Sequence, residues 1–282
     1  MTTDGYIHDA LFYDSDDQLL TTALQADPRV RFASSAETYS RPPQAIWALR
    51  QLVEAEVAAG AGRVRVVGET EFGDSSAQWA QWMRYEAVIN HALAPYPVWG
   101  VCLYDTRRLP RQVLASAELT HPNLRTSTSR APNPRFVDPV EFVRRLPDVE
   151  PDPLEATRPT LEIEDVTDLR GLREQLHAAL GRSSLASEAK SEFMFAVSEV
   201  ATNAVRHGRP PTRVRTWATR NRVLCAVTDR GHGIQDPLAG YVPAPQRSIP
   251  GGLGLWLARR FCDRVDLRRT GEDFTVRLAS GS

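Results

Sequence analysis

Along this 282-residue chain, apolar residues recur at two periods, one helical and one extended. In the C-terminal half, "TLEIEDV" alternates apolar and polar positions and predicts a strand. "DVTDLRGLREQLHAALG" opens on capping residues, repeats its apolar positions at helical spacing and closes at Gly181. "ASEAKSEFMFAVSEVATNAVRHG" predicts a longer helix, closed by Gly208 and Pro210. "TRVRTWATRNRVLCAVTDRG" is two alternating runs joined by a short polar turn, a hairpin. A Pro- and Gly-rich loop runs from Asp236 to Gly254. After it come the helical "LGLWLARRFCD" and a last hairpin turning at Thr270-Gly271-Glu272. Helices and antiparallel strands in this order predict a two-layer α/β sandwich.

In the N-terminal half, "ALFYD", "RVRVVGE" and "VWGVCLYD" are strand candidates. "PPQAIWALRQLVEAEVAAG" and "SSAQWAQWMRYEAVINHAL" are helix candidates. Their alternation predicts a second α/β domain. Between the halves lies "RLPDVEPDPLEATRPT", Arg145 to Thr160, with four prolines among acids and small residues. It reads as an extended interdomain linker. The expected organisation is therefore an α/β domain over 1–148, a linker over 149–159 and a second domain over 160–282.

Composition narrows the function. The chain is 42% hydrophobic and 24% charged with a net charge of −1, an ordinary globular balance with no overall pull toward nucleic acid or membrane. Lys190 is the single lysine. No lysine follows a glycine loop or sits on a "VAIK"-type strand, which excludes a P-loop site and a conventional protein kinase fold. Cys102, Cys225 and Cys262 are far apart and set among apolar residues, as for buried thiols in a reducing compartment, and no pair has metal-ligand spacing. The first residues lack a basic region and an apolar core, so no signal peptide is expected. No apolar run approaches the roughly 20 residues that span a bilayer. A soluble cytoplasmic protein is the expectation.

Three segments of the C-terminal half carry candidate chemistry. Glu199, Asn203 and His207 follow one another at steps of four on the long helix, so they line one side of it. A carboxamide oxygen suits Mg²⁺, and a carboxylate one turn earlier can orient or deprotonate a hydroxyl. "TDRGHGI", Thr228 to Ile234, sets Asp229 at a strand end, with glycines that let a ligand approach the backbone. An acid there can accept from an exocyclic amine such as that of adenine. "GGLGL", from Gly251, opens a helix and supplies backbone N–H groups for phosphate. A second E-x-x-x-N, Glu86 and Asn90 in "RYEAVINHAL", has no glycine-acid strand end after it. That helix reads as structural or as part of a sensor pocket. The His8-Asp9 pair has no further ligands in a pattern, and Asp9 reads as the cap of a local turn.

On these residues the C-terminal half, roughly 160–280, resembles the GHKL ATPase superfamily with its Bergerat fold. Within it, "SEVATNAVRHG" and the compact size resemble the anti-sigma-factor serine/threonine kinases of the RsbW type. The resemblance implies ATP and Mg²⁺ as cofactors, with Asn203 binding the metal and Glu199 the general base that activates a serine or threonine hydroxyl. It implies that Asp229, Gly231, Gly233 and Ile234 hold the adenine side. Gly252, Leu253 and Gly254 would serve the phosphates beneath a lid from Asp236 to Pro250. It implies a sigma factor and an anti-sigma-factor antagonist as partners, transcription control by partner switching, no direct nucleic-acid contact and a homodimer. His207 fits the family pattern, with a helix-end hydrogen bond as its simpler role. The N-terminal half resembles the MEDS sensory domain through "HDALFYDSDDQLL", "GETEF", "RYEAVINHAL" and "CLYDTRRLP". It departs from that pattern after Leu24, where a strand-loop-helix unit is missing. A ligand site built on that loop would be lost or remodelled.

Two other functions compete with a kinase that is also an anti-sigma factor. One is a non-catalytic ATP-binding module that sequesters a sigma factor by contact alone. The other is a sensor histidine kinase. His177, the candidate phosphoacceptor, lacks the acidic and proline neighbours expected of one, and only one helix is available to carry it.

Overall fold

The computed structural model describes residues 5–16, 41–126, 129–147, 150–242 and 252–281. By contact the chain divides into two units, Met1–Leu146 and Pro147–Ser282.

In the first unit the described elements run β1 (Ile7–Tyr13), α1 (Pro42–Ala58), β2 (Val64–Glu69), α2 (Ser76–Leu93) and β3 (Val98–Asp105). They continue with α3 (Arg111–Thr120), β4 (Asn123–Arg125), β5 (Arg130–Pro132) and α4 (Pro139–Arg145). The sheet order is β2-β3-β1-β4-β5. It is parallel except for the β4–β5 pair. Proline at the start of α1 supplies a helical φ where no N–H partner is needed. α2 begins with a capping box between Ser75 and Gln78. Asp9 is no turn cap. It lies within β1, fully buried, and accepts from Arg130 Nε at 2.8 Å and Trp99 Nε1 at 2.9 Å. The departure after Leu24 lies outside the described residues.

The second unit contains a 3-10 turn (Pro153–Ala156), β6 (Leu161–Ile163), α5 (Leu169–Leu180) and α6 (Ser187–His207). These are followed by β7 (Arg213–Ala218), β8 (Arg222–Asp229), α7 (Gly252–Phe261), β9 (Arg264–Thr270) and β10 (Asp273–Gly281). The sheet order is β6-β7-β8-β10-β9, antiparallel throughout. This is the two-layer arrangement expected from the sequence. α6 buries Phe193, Ala196, Val197, Val200, Ala201 and Ala204, one stripe at helical spacing, against Val214, Val227, Val276 and Leu278 of the sheet. Each large side chain buried there contributes about 1.5–3 kcal/mol. The alanines let the helix lie close to the strands. Ser198 and Thr202 return their hydroxyls to the carbonyls of Met194 and Ser198, at 2.8 and 2.7 Å, so neither leaves a buried donor unpaired.

The stretch that reads as a free linker is, from Glu150 to Thr157, part of this unit. It lies on the face of the sheet away from α6. Leu154 packs on Trp217, Leu224, Ala226 and Ala279, and Trp217 Nε1 donates to Thr157 O at 3.0 Å. Asp152 is buried and accepts from Arg222 at 2.5 Å and Arg264 at 3.2 Å. Arg277, also buried, reaches Glu155 and Asp266 and donates to Glu150 O. The strap's acids resemble linker acids in composition but are partners for arginines that the strands present. Asp152→Ala is expected to destabilise this unit by about 1–3 kcal/mol. That is less than the roughly 3–5 kcal/mol of a fully buried pair, because both guanidinium groups keep some water. Urea unfolding followed by tryptophan emission tests this, and an unchanged midpoint would deny the strap a structural role.

Candidate functional site

The residues singled out in the C-terminal half converge at the edge of α6. Glu199 and Asn203 are half-buried beside the apolar stripe. The first turn of α7 rests on them: a Cβ on Gly254 would lie 3.0 Å from Asn203 Nδ2 and 3.3 Å from Glu199 Oε2. Glycine at 254 is what allows this approach. Neither polar side chain makes a hydrogen bond to another described residue, so both remain available to a ligand.

Farther along α6, Gly208 closes the helix against the end of β8. Asp229 is buried there. Its Oδ1 accepts from Gly231 N at 2.6 Å and from Arg209 N at 3.4 Å. Arg230 N bonds Arg209 O at 2.9 Å, and Arg269 donates to Gly231 O at 2.9 Å. A Cβ on Gly208 would lie 2.5 Å from the Asp229 carboxylate, and one on Gly231 would lie 2.7 Å from Asp229 Oδ1. The two glycines thus form a cradle around the acid that side chains would fill. Gly233 has φ +66° and faces the Phe274 ring, 2.5 Å from where a Cβ would stand. Conformation and close packing both demand glycine there. From Glu199 to Gly208 the site extends about 13 Å along the helix.

Ile234 and Leu253 sit differently: both are exposed, Leu253 at 52%. Gly252 starts α7, and Gly251 lies outside the described residues. His207 is exposed at the end of α6. The lid region is described only to residue 242, and 243–250 fall outside. Its base is anchored by Arg259, which sequence reading missed. Arg259 is buried and donates to Ala239 O at 3.0 Å and Val265 O at 2.9 Å, with its guanidinium 4.1 Å from the Tyr241 ring centroid. The available signal was its place on the buried side of "LGLWLARRFC", with Leu255, Ala258 and Cys262.

A second constellation lies in the first unit. His8, Glu86, Cys102 and His121 come together from four parts of the chain. The helix bearing Glu86 and Asn90 therefore presents its polar residues to a buried cluster. Thr70 donates to Glu86 Oε1, and Asn90 accepts from His8 Nδ1.

Two family models match parts of the chain. Residues 14–122 match the family model of the MEDS domain, described as the methanogen/methylotroph DcmR sensory domain. Residues 164–280 match that of the histidine kinase-like ATPase domain. A search of curated proteins finds no match. Among solved structures the chain is similar to the RsbU and RsbW domains of a Mycobacterium tuberculosis protein. Identity is 20%, and the alignment covers 44% of this chain and 32% of that one with a TM-score of 0.32. No helix of the described residues is long and apolar enough to cross a membrane.

Proposed function

The chain carries an N-terminal MEDS sensory domain and a C-terminal histidine kinase-like (GHKL) ATPase domain, and from that premise we propose an ATP-dependent serine/threonine protein kinase that doubles as an anti-sigma factor. The observation that carries this reading is the row of unsatisfied polar groups on α6, closed by glycines at both ends. Asp229 Oδ1 is held by backbone N–H groups, which leaves Oδ2 to accept from an adenine amine. Gly231 and Gly208 pack closely against the acid and keep side chains away from it. Asn203 supplies an oxygen for Mg²⁺, and the start of α7 directs backbone N–H groups toward phosphate. ATP, when bound with Mg²⁺, supplies a phosphoryl group activated for transfer. Glu199 orients and deprotonates the acceptor hydroxyl of a partner. Ile234 and Leu253, being exposed, serve the rim of the site.

In this reading the partners are a sigma factor and its anti-sigma-factor antagonist, and the protein works as a homodimer in the cytoplasm; none of the three cysteines is in a disulfide. The test is co-purification of the chain with its partners, followed by incubation with labelled ATP. Phosphoserine or phosphothreonine on the antagonist supports the kinase. ATP binding and sigma-factor retention with no label transferred would replace it with a sequestering module.

A further inference from the structure

The proposed phosphoryl transfer leaves four buried, chemically potent side chains of the N-terminal unit unused. β1 and β3 pair in parallel with His8 opposite Gly100 and Ala10 opposite Cys102. His8 and Cys102 therefore project from the same face of the sheet. Gly100, opposite His8 in register, lets the Tyr6 and His8 rings lie close to the strand. Glu86 comes from α2, and His121 follows α3 directly. His8, Glu86 and His121 are each at most 1% exposed.

Cys102 Sγ is within hydrogen-bonding reach of both His8 Nε2 and Glu86 Oε2, but the nitrogen–oxygen contacts are loose, and the spacing suits a shared ion. His8 Nε2 lies 3.2 Å from Cys102 Sγ and 3.8 Å from Glu86 Oε2. His121 Nε2 lies 3.6 Å from Glu86 Oε2, and Cys102 Sγ lies 3.7 Å from it. The nitrogen–oxygen separations are too long for hydrogen bonds, and His121 Nε2 is buried with no hydrogen-bond partner. A tetrahedral ion with bonds of 2.0–2.3 Å sets its ligands about 3.3–3.8 Å apart. None of the four ligand atoms lies more than 4.8 Å from another, so no gap has to close by more than about 1 Å.

The surrounding groups fix which atoms face inward. His8 Nδ1 donates to Asn90 Oδ1 at 3.0 Å, and Asn90 Nδ2 in turn donates to Glu86 O and Thr120 O. His121 Nδ1 donates to Ala117 O at 2.8 Å. Both imidazoles thus turn a bare Nε2 to the centre. Thr70 takes Glu86 Oε1 at 3.3 Å, which leaves Oε2 facing the same point. Outer partners of this kind orient metal ligands.

We propose that His8, Glu86, Cys102 and His121 form a four-coordinate site for a divalent cation of the zinc class in the core of the sensory domain. Sulfur, nitrogen and oxygen together suit zinc and exclude magnesium and calcium. Thiolate and carboxylate contribute two negative charges and the imidazoles none, so a dication leaves the buried site neutral. Without an ion, burial shifts the same groups toward their uncharged forms. It raises the Glu86 carboxyl to about 7 and the Cys102 thiol well above its usual range, and it lowers His8 to about 4. Binding releases the thiol proton, and any carboxyl proton, to solvent. Four protein ligands leave no open position, which makes the site structural or metal-sensing.

The test uses the full chain, stripped with chelator and titrated with Co²⁺, with Zn²⁺ as competitor. The expected result is one equivalent bound in tetrahedral form, with a thiolate-to-cobalt absorption band. Cys102→Ala removes the band, whereas Cys225→Ala and Cys262→Ala retain it. Glu86→Gln, nearly isosteric, keeps the band and weakens affinity by about 100-fold. A parent chain without the band, a band that survives Cys102→Ala, or parental affinity in Glu86→Gln would each overturn the site. None of these readouts involves nucleotide, so they stand apart from the kinase reading.

Discussion

Replacing Glu199 with glutamine is expected to lower phosphoryl transfer by about 100-fold or more, with nucleotide affinity unchanged. Glutamine keeps the length and fits the same space beside Gly254, where an added Cβ would stand 3.3 Å from Glu199 Oε2. It cannot take a proton. Nothing else in the described structure depends on the charge, because Glu199 makes no ion pair or hydrogen bond there. Labelled-phosphate transfer to the antagonist measures the first quantity, and displacement of a fluorescent nucleotide measures the second. Equal transfer rates would remove Glu199 as general base. Loss of binding together with transfer would assign it to nucleotide contact.

Gly208→Ala is expected to cost about 1–3 kcal/mol of stability and most of the nucleotide affinity. The new methyl group would stand 2.4 Å from Ala204 O and 2.5 Å from the Asp229 carboxylate. Ala204 O cannot retreat, since it is helix backbone bonded to Gly208 N at 2.9 Å. Asp229 is buried and tied to Gly231 N, so the acid must turn out of its niche. Losing a charge-assisted hydrogen bond to the base corresponds to about 1.5–3 kcal/mol, roughly 10- to 150-fold in affinity. Gly271→Ala is the control. Gly271 has φ +60° with open space around it, so alanine strains the turn by about 1–2 kcal/mol and leaves nucleotide binding alone. Equal affinities in both variants would detach the cradle from the nucleotide site.

The C-terminal sheet and helices were legible because their apolar periods are long and their ends are marked, as at Asp168, which caps α5, and Gly271. Glu199 and Asn203 stood out because polar residues at steps of four interrupt a buried stripe. In the first unit α3, β4, β5 and α4 were missed. β4 and β5 are three residues each, too short to show alternation. The strap was misread because composition cannot distinguish an acid facing water from one facing Arg222. The four-residue cluster had no local signature at all. His8 and Cys102 are 94 residues apart, and only strand register makes them neighbours. Short ligand spacings in sequence cannot reveal a cluster that draws each member from a different part of the chain.

The strap on the outer face of the second unit has a consequence for the order of events during synthesis. Glu155 and Glu150 meet Arg277 across 122 and 127 residues, and Asp152 meets Arg264 across 112. Those arginines belong to the last hairpin described. At about 5–20 residues per second, the strap emerges on the order of ten seconds before its arginines exist. Once Trp217 and Leu224 have been made, Leu154 of the strap is there to cover them, but the strap still lacks the arginines that hold it in place. Closure of the outer face is therefore a long-range event, and the nascent chain shows a loosely covered apolar patch to any chaperone until β10 pairs.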